Sequence, residues 1–167
     1  MTAAIALSLI VLVPPAAASA VITVNEHSQE INADGDCSLQ EAIYSANLDA
    51  NIAPDPANPG GIDFVTTGCA PGNGADTIVL PGGVITITGP VADIDNPVGP
   101  TGTPVIYTTI TIEGNGTRIE HTGSTPVRAF AVAGGLTSQA GTGDLTLRNV
   151  HVKNFLAKGG NGGIGGG

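Results

Sequence analysis

The chain has 167 residues, enough for one ordinary domain, and only 11 % of them are charged and 3 % aromatic, with no Trp. Twenty-five Gly and 12 Pro suit short strands joined by turns and exclude a helical bundle, which needs far more Glu, Lys, Arg and Leu. A formal net charge of −9, from 14 acidic and 5 basic residues without a Lys/Arg cluster, excludes phosphate neutralisation along a nucleic acid.

The first element is a targeting segment. An apolar run at 3–13 leads to Pro14-Pro15 and then Ala18-Ser19-Ala20, an A-x-A-like cleavage site. Residues 1–20 therefore read as a signal peptide and Val21 as the mature start, although the terminal amine is the only positive charge ahead of the run. The run is shorter than the roughly 20 apolar residues of a membrane span, and no transmembrane span is expected in the mature chain.

Val21-Ile22-Thr23-Val24 reads as a strand, and a polar stretch follows, ending in the turn Asp34-Gly35-Asp36. Next comes Cys37-Ser38-Leu39-Gln40-Glu41-Ala42-Ile43. Ser38 and Glu41 have the spacing of a capping box, in which the hydroxyl takes the Glu41 N–H and the carboxylate takes the Ser38 N–H. Leu39, Ala42, Ile43 and Ala46 then make one apolar stripe on a helix over about 39–47, suited to serve as a lid. Residues 48–74, with Pro54, Pro56, Pro59 and Pro71, read as an irregular excursion. In an oxidising compartment Cys37 and Cys69 pair most simply with each other and tie that excursion to the helix base; two buried free thiols are the alternative.

From Asp76 the texture becomes one of short strands: 77–80, 84–88, 105–112, 117–120, 130–132, 145–147 and 150–152. Ile85-Thr86-Ile87, Ile110-Thr111-Ile112 and Leu145-Thr146-Leu147 share an apolar-Thr-apolar pattern, irregularly spaced, as in a solenoid with variable loops. Arg148-Asn149 is a corner and not a hairpin, with Asn149 suited to the left-handed conformation. Asn-Gly pairs at 73–74, 115–116 and 161–162 keep an antiparallel sandwich open. The glycine-rich run 159–167 suggests the N-terminal piece of a longer protein or a truncated gene product.

Asp34-Gly35-Asp36-Cys37-Ser38-Leu39-Gln40-Glu41-Ala42-Ile43, then Ala46-Asn47 and Gly74-Ala75-Asp76-Thr77-Ile78-Val79-Leu80, resemble the start of CSLREA-type domain proteins. The resemblance extends over roughly 21–165 and departs at Gln40, where the motif has Arg. It implies an exported bacterial protein with a pectin-lyase-like, right-handed parallel β-helix and no established shared activity. The expected architecture is all-β: a signal peptide (1–20), a cap with the motif helix (21–75) and the first coils of an incomplete, C-terminally truncated β-helix (76–167).

Chemistry is sparse. Gly72-Asn73-Gly74-Ala75-Asp76 matches half of one calcium β-roll repeat, but calcium takes six to eight oxygens and a single copy is present, so Asp76 reads better as a strand cap. Asp93, Asp95, Glu113, Arg118, Glu120, His121, Asp144 and Arg148 are the groups from which a polysaccharide-cleaving site could be drawn. Glu113 and Arg148 follow their strands at similar offsets and suit a surface ion pair. His27, His121 and His151 lie in no catalytic motif, and His151 should point outward between Val150 and Val152. The expected function is an exported structural or adhesive surface protein without catalytic residues, metal or cofactor. Its partners would be host or environmental glycans or cell-surface components. The rival is the N-terminal part of a carbohydrate-active enzyme.

Overall fold

The structure is a computed structural model that describes residues 19–59, 63–93, 96, 99–133 and 143–158. Residues 1–18 of the expected signal peptide, Asp95 and the run 159–167 lie outside the described residues.

Ten elements follow one another: β1 (Val21–Thr23), α1 (Leu39–Leu48), β2 (Ile52–Pro54), β3 (Phe64–Thr66), β4 (Asp76–Val79), β5 (Val84–Ile87), β6 (Thr109–Glu113), β7 (Arg118–His121), β8 (Asp144–Arg148) and β9 (His151–Lys153). Strands β1-β4-β6-β8 form one parallel sheet and β5-β7-β9 a second, while β2 and β3 pair antiparallel by themselves. From β4 onward, each chain segment lays one strand in the first sheet, turns a corner and lays the next strand in the second. The 115–116 Asn-Gly pair is such a corner between β6 and β7, and the sandwich reading fails with it. Asn115 (φ 50°) and Asn149 (φ 51°) both take the left-handed conformation there. Gly114 passes so close beneath the Asn149 carbonyl that a Cβ would collide with it.

Register turns the sequence alternation into columns. Ile22, Ile78, Ile112 and Leu147 stack in the first sheet, and Ile85, Ile119 and Val152 in the second. The isoleucines are 0 % exposed, while Leu147 and Val152, on the last strands, are 41 % and 44 % exposed. The core thus lies between the two sheets, closed on another side by α1, whose Leu39, Ala42, Ile43 and Ala46 belong to the same cluster.

The expected right-handed parallel β-helix requires correction. The described residues form parallel sheets of four and three strands, an antiparallel pair and one helix, and they do not close into a solenoid. Where a further wall would stand, the backbones of segments 101–106 and 127–133 pair as isolated bridges and not as a ladder, Thr101 with Arg128 and Ile106 with Val132. Pro100, Pro104 and Pro126 supply no N–H to a ladder, and the expected strand at 130–132 is reduced to one of those bridges. The motif helix stands where it was expected, whereas the antiparallel pair lies inside what reads as an irregular excursion.

Position within a column should decide the cost of truncation. Ile112→Ala, fully enclosed, should lose about 2–5 kcal/mol in urea unfolding. Leu147→Ala, in the same column but half open, should lose well under half as much; equal losses would contradict the graded burial.

Candidate functional site

The motif heptapeptide builds a densely hydrogen-bonded start to α1. Ser38 is extended (φ −79°, ψ 168°), so its side chain turns back over the first turn of α1. Its Oγ accepts the Glu41 N–H at 3.2 Å and donates to the Glu30 carbonyl at 2.7 Å. The Glu41 carboxylate completes the box, Oε2 taking the Ser38 N–H at 2.9 Å, and its Oε1 reaches out of the helix to the Asn32 N–H at 2.8 Å. One buried side chain therefore joins the helix start to the preceding segment. Burial pushes the Glu41 carboxyl above its ordinary value, more than the Asn32 and Ser38 N–H groups draw it down.

Cys37 and Cys69 form a disulfide across a sequence separation of 32 residues. The two backbones lie flush there: the Gly68 N–H donates to the Asp36 carbonyl at 3.0 Å, and a Cβ on Gly68 would collide with Gly35 and Asp36. Asn25 accepts the Cys37 N–H at 2.6 Å.

Buried amides then hold the helix sideways, a feature that an apolar stripe does not announce. All of 39–47 is buried, polar residues included, so the helix is a plug with no solvated face. The Gln40 Nε2 donates to the Gly102 carbonyl at 2.9 Å. The Asn47 Nδ2 donates to the Val105 carbonyl at 2.7 Å, and its Oδ1 accepts from the Tyr107 N–H at 3.2 Å. Gln29 converges on the same loop: its Nε2 reaches the carbonyls of Gly89 (3.0 Å) and Gly102 (3.4 Å), and its Oε1 takes the Thr88 and Gly89 N–H groups at 2.8 and 3.1 Å. Gln40 and Asn47 lie in the motif blocks of the sequence, Asn47 in Ala46-Asn47, whereas Gln29 carries no sequence signal. Gln29, Gln40, Glu30 and Pro56 are brought together around a pocket of about 290 Å³.

The candidate acidic and basic groups do not converge on one point. Arg148 pairs with Glu113 at 2.7 Å on the outer face of the first sheet. On the second sheet Glu120 meets Lys153 at 3.2 Å and Arg118 at 3.0 Å, beside a shallow groove of about 610 Å³ that also touches His151. The hydrogen bond from Lys153, with the charges of Lys153 and Arg118, holds the Glu120 carboxyl below its ordinary range. His151 is exposed. His121 is buried, its Nδ1 3.3 Å from the Asn154 carbonyl and its ring 5.6 Å from that of Phe155. Asp93 accepts the Val105 N–H at 2.7 Å, and Asp144 is exposed at the start of β8. Asp76 takes the N–H groups of Ala20 (3.0 Å) and Asn73 (2.9 Å), the strand-cap role. Among the described residues no group of three or more His, Cys, Asp or Glu could hold a metal ion, and no helix is long and apolar enough to cross a membrane.

Compared with models of known protein families, with curated proteins and with solved structures, the chain matches none.

Two measurements probe the helix base. Cys37→Ser should lower stability by about 3–4 kcal/mol on the chain-entropy scale for a loop of this size and raise hydrophobic-dye binding; unchanged melting and dye binding would show that the amides alone hold the plug. For Glu41, a folded value raised above the ordinary 4.5 means that its stabilising contribution is complete below that pH and lost as pH rises through the folded value. Wild type should therefore lose stability relative to Glu41→Gln over that rise, and a difference flat in pH would contradict the shift.

Proposed function

We propose that this is an exported structural or adhesive surface protein, which presents loops on a stiff framework of stacked parallel strands and performs no catalysis within this chain. The observation that carries the reading is the Cys37–Cys69 disulfide, which ties the base of the motif helix to the segment that follows β3. Such bonds persist in oxidising compartments and are rare in the cytosol. The apolar segment ahead of Ala18-Ser19-Ala20 supports the same destination, as does the resemblance of the 34–43 and 74–80 blocks to exported CSLREA-type domain proteins. Glu113 and Glu120, two of the carboxylates from which a glycan-cleaving pair could be drawn, are engaged by Arg148, Arg118 and Lys153. Glycans or cell-surface components are the partners that this reading implies.

The test is cell fractionation combined with thiol labelling and a glycan assay. The expected result is protein at the surface or in the medium, with both cysteines resistant to alkylation until reduced and no cleavage of polyuronates. Retention in the cytosol with free thiols would overturn the exported role, and glycan cleavage the non-catalytic one.

A further inference from the structure

The shallow groove on the second sheet reverses the charge of the rest of the molecule. The chain has a net charge of −9 and only five Lys and Arg residues, yet Arg118 and Lys153 both line this groove, together with His151. No Asp or Glu is among the described residues that line it.

Register brings these groups together. Val84, Arg118 and His151 stack in one column, and Thr86, Glu120 and Lys153 in the next, on strands about 4.8 Å apart. Arg118 and Glu120 stand two residues apart on β7, as do His151 and Lys153 on β9, so the four project from one face. Glu120 fixes the cations without cancelling them. Its carboxylate takes the Arg118 Nε at 3.0 Å, the Lys153 Nζ at 3.2 Å and the Asn154 Nδ2 at 3.0 Å. One negative charge set against two positive ones leaves a surplus of one positive charge beside the groove. The remaining donors are open to solvent: the Arg118 side chain is 46 % exposed and that of Lys153 55 %. Neither side chain has a further polar partner among the described residues. Of the five guanidinium N–H donors only the one on Nε is used, so the terminal nitrogens can take two oxygens side by side.

The chain leaves room next to these donors. Gly83 (φ 73°) and Gly116 (φ 78°) form the corners at one end of the groove, and a Cβ on Gly116 would meet nothing within 4 Å. Val84 adds an apolar patch. The volume of about 610 Å³ falls inside the range of roughly 300–1,000 Å³ common for ligand sites. A surplus of one charge matches one carboxylate or one sulfate ester, whereas a doubly charged phosphate would exceed it. The imidazole suits hydroxyl groups, and the valine suits the C–H face of a sugar ring.

We propose that this groove binds a sugar residue bearing one negative charge, as a carboxylate or a sulfate ester. The acid group lies between the Arg118 guanidinium and the Lys153 ammonium, the hydroxyls exchange hydrogen bonds with His151, and the ring lies over Val84 and the glycine corners. This inference rests on the reading of glycans as partners of the protein, and it gives their chemistry and their place on the framework.

The test is a titration of the whole folded protein, followed by NMR, with methyl glucuronoside, glucose 6-sulfate, neutral methyl glucoside and acetylglycine, a peptide-like carboxylate. The two acidic sugars should bind saturably and shift the His151 ring and Gly116 amide signals, and the neutral glucoside should bind at least about tenfold more weakly. The tighter of the two acidic sugars identifies the acid group. Arg118→Gln and Lys153→Gln each remove the surplus charge at an exposed position and should weaken the acidic sugars about tenfold. Arg148→Gln, the same change of charge on the first sheet, should leave their binding unchanged. Equal binding of the neutral glucoside, acetylglycine binding as tightly as the acidic sugars, an equal loss in Arg148→Gln, or no saturable binding would overturn the proposal. Such a failure would leave the exported role standing, because fractionation and thiol labelling report on that separately; cytosolic retention with binding intact would overturn the surface role alone.

Discussion

In a parallel ladder residue stacks on residue, so one register decides every inward side chain at once. Ile22 over Ile78 over Ile112, and Ile85 over Ile119, are consequences of that single alignment. A slip of one position would turn each isoleucine outward and bring threonines into the core. The corners protect the alignment: Gly114 must pass under the Asn149 carbonyl, and Asn115 anchors to the Leu80 carbonyl at 2.9 Å, so the turns of successive layers are indexed against each other. With few aromatics and few charges in the chain, little else could enforce a unique packing.

The helix solves a different problem. A stack of parallel strands leaves an apolar flank that hydrophobic contact alone would cover without preference for orientation. Leu39, Ala42, Ile43 and Ala46 provide the contact, and Glu41, Gln40 and Asn47 provide the direction, each through hydrogen bonds to a particular backbone group. Glu41 joins two parts of the chain at once, because its two oxygens serve the helix and the preceding segment together. Its raised carboxyl reflects the burial that this bridging requires.

Local pattern was readable and closure was not. The capping residues and the apolar-Thr-apolar strands lie close to where the chain places them, because period-two alternation and the S-x-x-E spacing act over a few residues. The antiparallel pair was hidden, since Ile52–Pro54 ends in a proline and Phe64–Thr66 sits in a polar, glycine-rich setting. Whether strands close into a continuous coil depends on what the segments at 101–106 and 127–133 do, and their prolines and isolated bridges are a tertiary outcome. The pocket was equally out of view. Gln40 on a helix looks like an ordinary polar position until Gly102, 62 residues away, is found against it.

The clip between Cys37 and Cys69 also changes what a broken chain would mean. The intervening segment contains Pro54, Pro56 and Pro59 with an exposed stretch at 56–59, a natural place for a protease to nick. Ordinarily a cut there would release everything N-terminal to it. Here the two fragments stay covalently joined, and the helix remains beside the strands that it covers, because both ends of the severed loop meet at one sulfur–sulfur bond. Such damage would be visible only after reduction, and the stacked core would outlast the continuity of its own backbone.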